Sequence, residues 1–121
     1  MNEDVKVKFI DALLSGEYTQ GKGKLRLFNN TVCANGILCE LAIKDGLVGI
    51  HRGTSGCGYH MTSPLADGRV VKSYGNNFPP NIVFDWAGIS YDYSRTLAGL
   101  NDDGASFEQI AEWVKNGTNG L

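Results

Sequence analysis

At 121 residues and 13.1 kDa, with 42% hydrophobic and 20% charged residues, the chain has the means to bury a core of its own, which sets disorder and fibrous classes aside. A net charge of -2 excludes bulk binding to duplex nucleic acid, which relies on a broad cationic surface. Apolar runs are too short for a membrane span, and the opening MNEDVKVKF is acidic where a signal peptide would be basic and then apolar, so the sequence reads as that of a cytoplasmic protein.

The first predicted element is a helix: Val5, Phe9, Ala12 and Leu13 recur at helical spacing, and Gly16 stands where a left-handed residue would end it. From Gly16 to Phe28, GEYTQGKGKLRLF, a glycine-broken loop runs into a two-residue period. If Lys24 to Phe28 is extended, Lys22, Lys24, Arg26 and Phe28 share one face and Leu25 and Leu27 the other, a basic stripe ending in an aromatic ring. Asn29-Asn30 is suited to close a hairpin between strands at Leu25–Phe28 and Thr31–Cys33. A helix over Asn35–Lys44 follows, with Leu38, Leu41 and Ala42 on one face and Asp45-Gly46 as its exit.

The middle, Gly46 to Asn77, is glycine-rich and polar. Strands are expected at Leu47–His51, Tyr59–Thr62 and Arg69–Tyr74, with a turn at Ala66-Asp67-Gly68, in a meandering sheet or a long loop. Pro79-Pro80 should open a short helix that buries Ile82, Val83 and Trp86 and stops at Gly88. Tyr91, Asp92 and Tyr93 read as pocket-lining or as alternating positions of an exposed strand. Ser94–Leu100 adds one turn of helix before the turn Asn101-Asp102-Asp103-Gly104. The last helix starts at Ser106, with Gln109 completing a capping box, buries Phe107, Ile110, Ala111 and Val114, and ends at Asn116-Gly117. This order predicts a single α+β domain over residues 1–121, a small antiparallel sheet packed with about four helices.

The chemistry is read mainly from the basic stripe. Lys22, Lys24 and Arg26 between glycines suit an anion such as a phosphate, and Gly21 and Gly23 free backbone N–H groups to form an anion-binding nest; Gln20 lies in the same stretch. The plain alternative is the solvated face of an amphipathic strand. The spacing of a nucleotide-hydrolysing P-loop is absent. In HRGTSGCGYH, Arg52 suits an anion and Tyr59 or His60 a stacked base, as in a ligand-covering loop. His51, Cys57 and His60 are a metal candidate whose spacing matches no standard zinc module, so neither metal nor cofactor is expected. Asn101–Gly104 lacks the further oxygen ligands of a calcium loop. Cys33, Cys39 and Cys57, an odd number without a C-x-x-C pair, read as reduced thiols. No serine or cysteine stands in a nucleophile motif, and no catalytic residue is assigned.

The pieces GEYTQGKGKLR, CANGILCELA, FPPNIVFDWAGIS and LNDDGASFEQIAEWV, in that order, resemble a family of small proteins encoded by bacteriophages and prophages. The resemblance covers roughly Phe9 to Ala42 and Phe78 to Val114; the middle segment has no counterpart, and Ala34-Asn35 stands where Cys-Leu is expected. It implies a phage origin, in which small non-structural proteins often interfere with host defence, and it assigns no residue a role. Three functions are weighed. The first is a non-enzymatic protein that captures a small anionic, nucleotide-derived ligand, a counter-defence sponge for a host immune signal, through Tyr18, Gln20, Lys22, Lys24, Arg26, Phe28, Arg52, Tyr59 and His60. The second is an inhibitor that covers a host enzyme, with Asp102, Asp103, Glu108 and Glu112 in contact. The third is a small hydrolase with His51 or His60 as base. Phe107 and Trp113 offer an apolar surface for a homodimer or higher oligomer.

Overall fold

The computed structural model describes residues 1–27, 29–53, 56–61, 74–75 and 78–117, with backbone alone at 51–53, 56–61 and 74–75. Among these, five helices carry the structure: α1 (Glu3–Leu14), α2 (Ala34–Lys44), α3 (Asn81–Ala87), α4 (Tyr91–Asp102) and α5 (Phe107–Asn116). Local signals start and stop them. The Asn2 side chain accepts from the Asp4 N–H to open α1, and Gly16, at φ +75°, follows its end. Gly88, at φ +69°, closes α3, and Ser106 and Gln109 make both bonds of the capping box on α5.

Burial decides how the helices assemble. α2 exposes almost nothing: Ala34, Asn35, Gly36, Ile37, Leu38, Cys39, Leu41 and Ala42 are all buried, as a helix enclosed by neighbours requires. It packs against α1, α3 and α4, while α5 lies along α1 and α4. Phe9 and Leu13 of α1, Val83 of α3, Leu97 of α4 and Ile110 and Val114 of α5 complete the cluster. Gly36 has a steric reason, since a Cβ there would strike the Leu25 carbonyl.

The α+β expectation is overturned: the domain is mostly helical. Strands β1 (Val48–Gly53), β2 (Gly56–Met61) and β3 (Tyr74–Gly75) form an antiparallel sheet in the order β1-β2-β3, and of the three strand residues with described side chains, 48–50, Val48 is buried in the core. The physical reason is composition: the glycine-rich middle carries few apolar side chains, so a sheet there has little to bury against the helices. The strands expected at Leu25–Phe28 and Thr31–Cys33 reduce to two isolated bridges, Gln20 with Val32 and Arg26 with Val32. The turn between them does form, with Asn30 at φ +66° and the Leu27 N–H donating to the Thr31 carbonyl (2.9 Å). The strand expected at Arg69–Tyr74 falls, except for Tyr74, outside the described residues.

Two further expectations are corrected. Tyr91, Asp92 and Tyr93 form the first turn of α4, because the Ser90 side chain caps the Tyr93 N–H (3.0 Å) and starts the helix ahead of Ser94. Phe107 is a core residue, as its helical spacing predicts, and so does not give the apolar surface also assigned to it, while Trp113 lies half-buried with its ring 5.1 Å from that of Tyr93.

Candidate functional site

The segment from Gly16 to Val32 carries the candidate site, and its shape comes from bonds made far along the chain. Gln20 Nε2 donates to Asn101 Oδ1 (3.0 Å) and to the Ala105 carbonyl (2.8 Å). Asn101 Nδ2 donates in turn to the Gly21 carbonyl (2.7 Å), and Asn101 Oδ1 also accepts the Ala34 N–H (3.1 Å) at the start of α2. The Gly23 N–H donates to Asp102 Oδ1 (3.0 Å). Backbone bonds add to this: Gly21 N–H to the Val32 carbonyl (2.8 Å), Val32 N–H to that of Thr19 (3.0 Å) and Cys33 N–H to that of Leu25 (3.2 Å). One fully buried asparagine at the end of α4 thus joins the loop, α2 and the approach to α5. The QGKG and LNDDG stretches meet in space.

This geometry divides the basic stripe. Lys22 is exposed and Lys24 half-buried, and among the described residues neither is in an ion pair. Arg26 is committed: its Nη1 donates to Glu40 Oε1 (3.2 Å) and its Nη2 to Asn30 Oδ1 (3.1 Å), while its buried Nε has no hydrogen-bond partner among the described residues. The Gly23 N–H, expected in a nest for an external anion, is already held by the carboxylate of Asp102. Gln20 spends its amide inside the protein. Tyr18 packs half-buried against the core, and burial pushes its phenol up against the pull of Lys44, with Glu17 and Glu40 adding to the rise.

Phe28 and the side chains of Arg52, Tyr59 and His60 lie outside the described residues, as do those of His51 and Cys57. Among the described residues no group of three or more His, Cys, Asp or Glu side chains is placed to hold a metal ion. Cys33 and Cys39 are buried free thiols, and burial pushes both up, Cys39 well above the ordinary range. No described helix is long and apolar enough to cross a membrane. Asn101 and Asp102 organise the loop, a role that the sequence reading, which has them in a turn, a rejected calcium loop and, for Asp102, an acidic contact face, does not give them. A signal was present: Ser94, Leu97 and Asn101 follow one another at helical spacing, which puts a polar residue on a buried face.

Two shallow grooves flank α1 on the described surface. One, of about 320 Å³, is lined by Lys8, Asp11, Glu17, Lys44 and Asp45 around Leu41, a mixture of charges without a dominant sign. The other, of about 280 Å³, runs between α1 and α5. A family model described as "Domain of unknown function (DUF8296)" matches residues 1–118. No curated protein and no solved structure matches the chain.

Proposed function

The chain belongs to the DUF8296 family, and we propose that it is a non-enzymatic binding protein of phage type, working in the host cytoplasm to capture a small anionic, nucleotide-derived ligand. One observation carries the reading: the loop bearing Lys22 and Lys24 is anchored by the half-buried amide of Gln20 and the buried amide of Asn101, while among the described residues the two lysines themselves have no carboxylate partner. A loop held in place in advance loses little conformational freedom when it binds, so two modest charge contacts retain more of their free energy. Among the described residues the contact is narrower than the sequence suggests. It rests on Lys22 and Lys24, with Arg26 supporting the loop from behind through Glu40.

Calorimetric titration against mono-, di- and cyclic nucleotides and ADP-ribose derivatives tests this reading. Lys22→Ala and Lys24→Ala should each weaken binding by about 1.5 kcal/mol, roughly tenfold, with affinity falling as salt rises. A panel in which nothing binds, or full affinity in both variants, overturns it. A second reading, an inhibitor that covers another protein, is favoured by a separate observation: Glu108 and Glu112 border the groove between α1 and α5, where aliphatic side chains stand exposed.

A further inference from the structure

The groove between α1 and α5 has an apolar floor that the fold leaves open. Val7, Ile10 and Leu14 recur along α1 at spacings of three and four, and Ala111 faces them from α5. Val7 and Leu14 remain 57% and 56% exposed, although a buried stripe of the same helix, Val5, Phe9 and Leu13, already meets the core. A helix with a second aliphatic stripe turned to water has surface to cover. At about 280 Å³ the groove is open and shallow, room for a few side chains of a passing helix.

Charge selects the occupant. Asp11, Glu108 and Glu112 rim the groove against the single ammonium of Lys115. An anionic small molecule would be repelled there. A second copy of this chain, docking through the same face about a two-fold axis, would set these carboxylates against their own kind. We propose that the groove docks a basic amphipathic helix of a partner protein, with leucine-type anchors at i, i+3 or i+4 and i+7 seated on Val7, Ile10 and Leu14 and flanking Lys or Arg side chains meeting Asp11, Glu108 and Glu112. The inference rests on the second reading above and gives it a face and a partner chemistry.

The test uses the full chain and three fluorescent 18-residue peptides of designed helical pattern: leucine anchors with lysine flanks, the same anchors with glutamate flanks, and a scrambled lysine peptide. Anisotropy should show the lysine helix bound, and the glutamate and scrambled peptides at least tenfold weaker. Val7→Gln and Leu14→Gln, both at exposed positions that the fold does not need, should each weaken binding about fivefold to tenfold. Glu108→Lys with Glu112→Lys should reverse the preference towards the glutamate peptide. Absence of binding, equal binding of the scrambled peptide or indifference to these variants overturns the proposal. Backbone NMR shifts induced by the peptide on a different face overturn the groove while leaving the inhibitor reading in place. A dimer in sedimentation that Leu14→Gln dissolves gives the groove to a second copy and also overturns it.

Discussion

Asn101 concentrates more of the structure than any other described polar side chain, because its amide serves four separate backbone or side-chain groups at no exposure. Asn101→Ala leaves the Gly21 carbonyl and the Ala34 N–H without partners in the interior, which should lower stability by about 3 kcal/mol or more. Urea unfolding at unchanged slope, with the midpoint shifted down, is the expected result; an unmoved midpoint would mean that water replaces the amide. Two other buried groups make stability depend on alkaline pH. Burial pushes the Tyr93 phenol from 10.0 up to about 12. Below pH 10 folded and unfolded chains both hold that proton; above it the unfolded chain releases it first, so stability is present at lower pH and is lost as pH climbs towards 12. Cys39, raised well above 9.0 by burial, acts with the same sign from a lower onset. The thermal midpoint of Tyr93→Phe should therefore fall less than that of the wild type between pH 10 and 12.

At the level of elements, two glycines make opposite forecasts. Gly36→Ala drives a Cβ into the Leu25 carbonyl, a backbone atom that cannot swing aside, and should cost about 2–4 kcal/mol. Gly99 lies inside α4 with open space around it, so Gly99→Ala should stabilise the helix by roughly 0.5–1 kcal/mol. Paired chemical denaturation of the two variants gives both signs in one experiment. The same contrast between local and distant causes explains what could be read from the sequence. The ends of α1, α3 and α5 were legible because Gly16, Gly88 and the Ser106–Gln109 pair act within a few residues. The beginning of α4 was missed where Ser90, followed by Asp92, carried the same kind of signal amid tyrosines that also suit strands. Within the stripe, Arg26 and Gly23 misled because alternation alone cannot show that Arg26 finds Glu40, or that Gly23 finds Asp102 far along the chain. Such pairings belong to tertiary structure.

For the whole molecule, the way the loop is tied has a consequence in time. Its anchors are not independent: releasing the Gly21 carbonyl means breaking its bond to Asn101, and losing Asn101 also removes one of the two bonds of Gln20 and the partner of the Ala34 N–H at the start of α2. The amides of Gly21, Val32 and Ala34 should therefore exchange with deuterium at a common rate, as one opening unit, whereas Gly23, held by an exposed carboxylate, should exchange sooner. Residue-by-residue rates across Gly21, Val32 and Ala34 would show that the anchors act separately. A loop that opens only as a unit does not swing aside to admit a guest. On the proposed reading, a nucleotide arriving at Lys22 and Lys24 would meet a loop already in its final form, so the observed association rate should rise linearly with ligand concentration and never level off at a gating step.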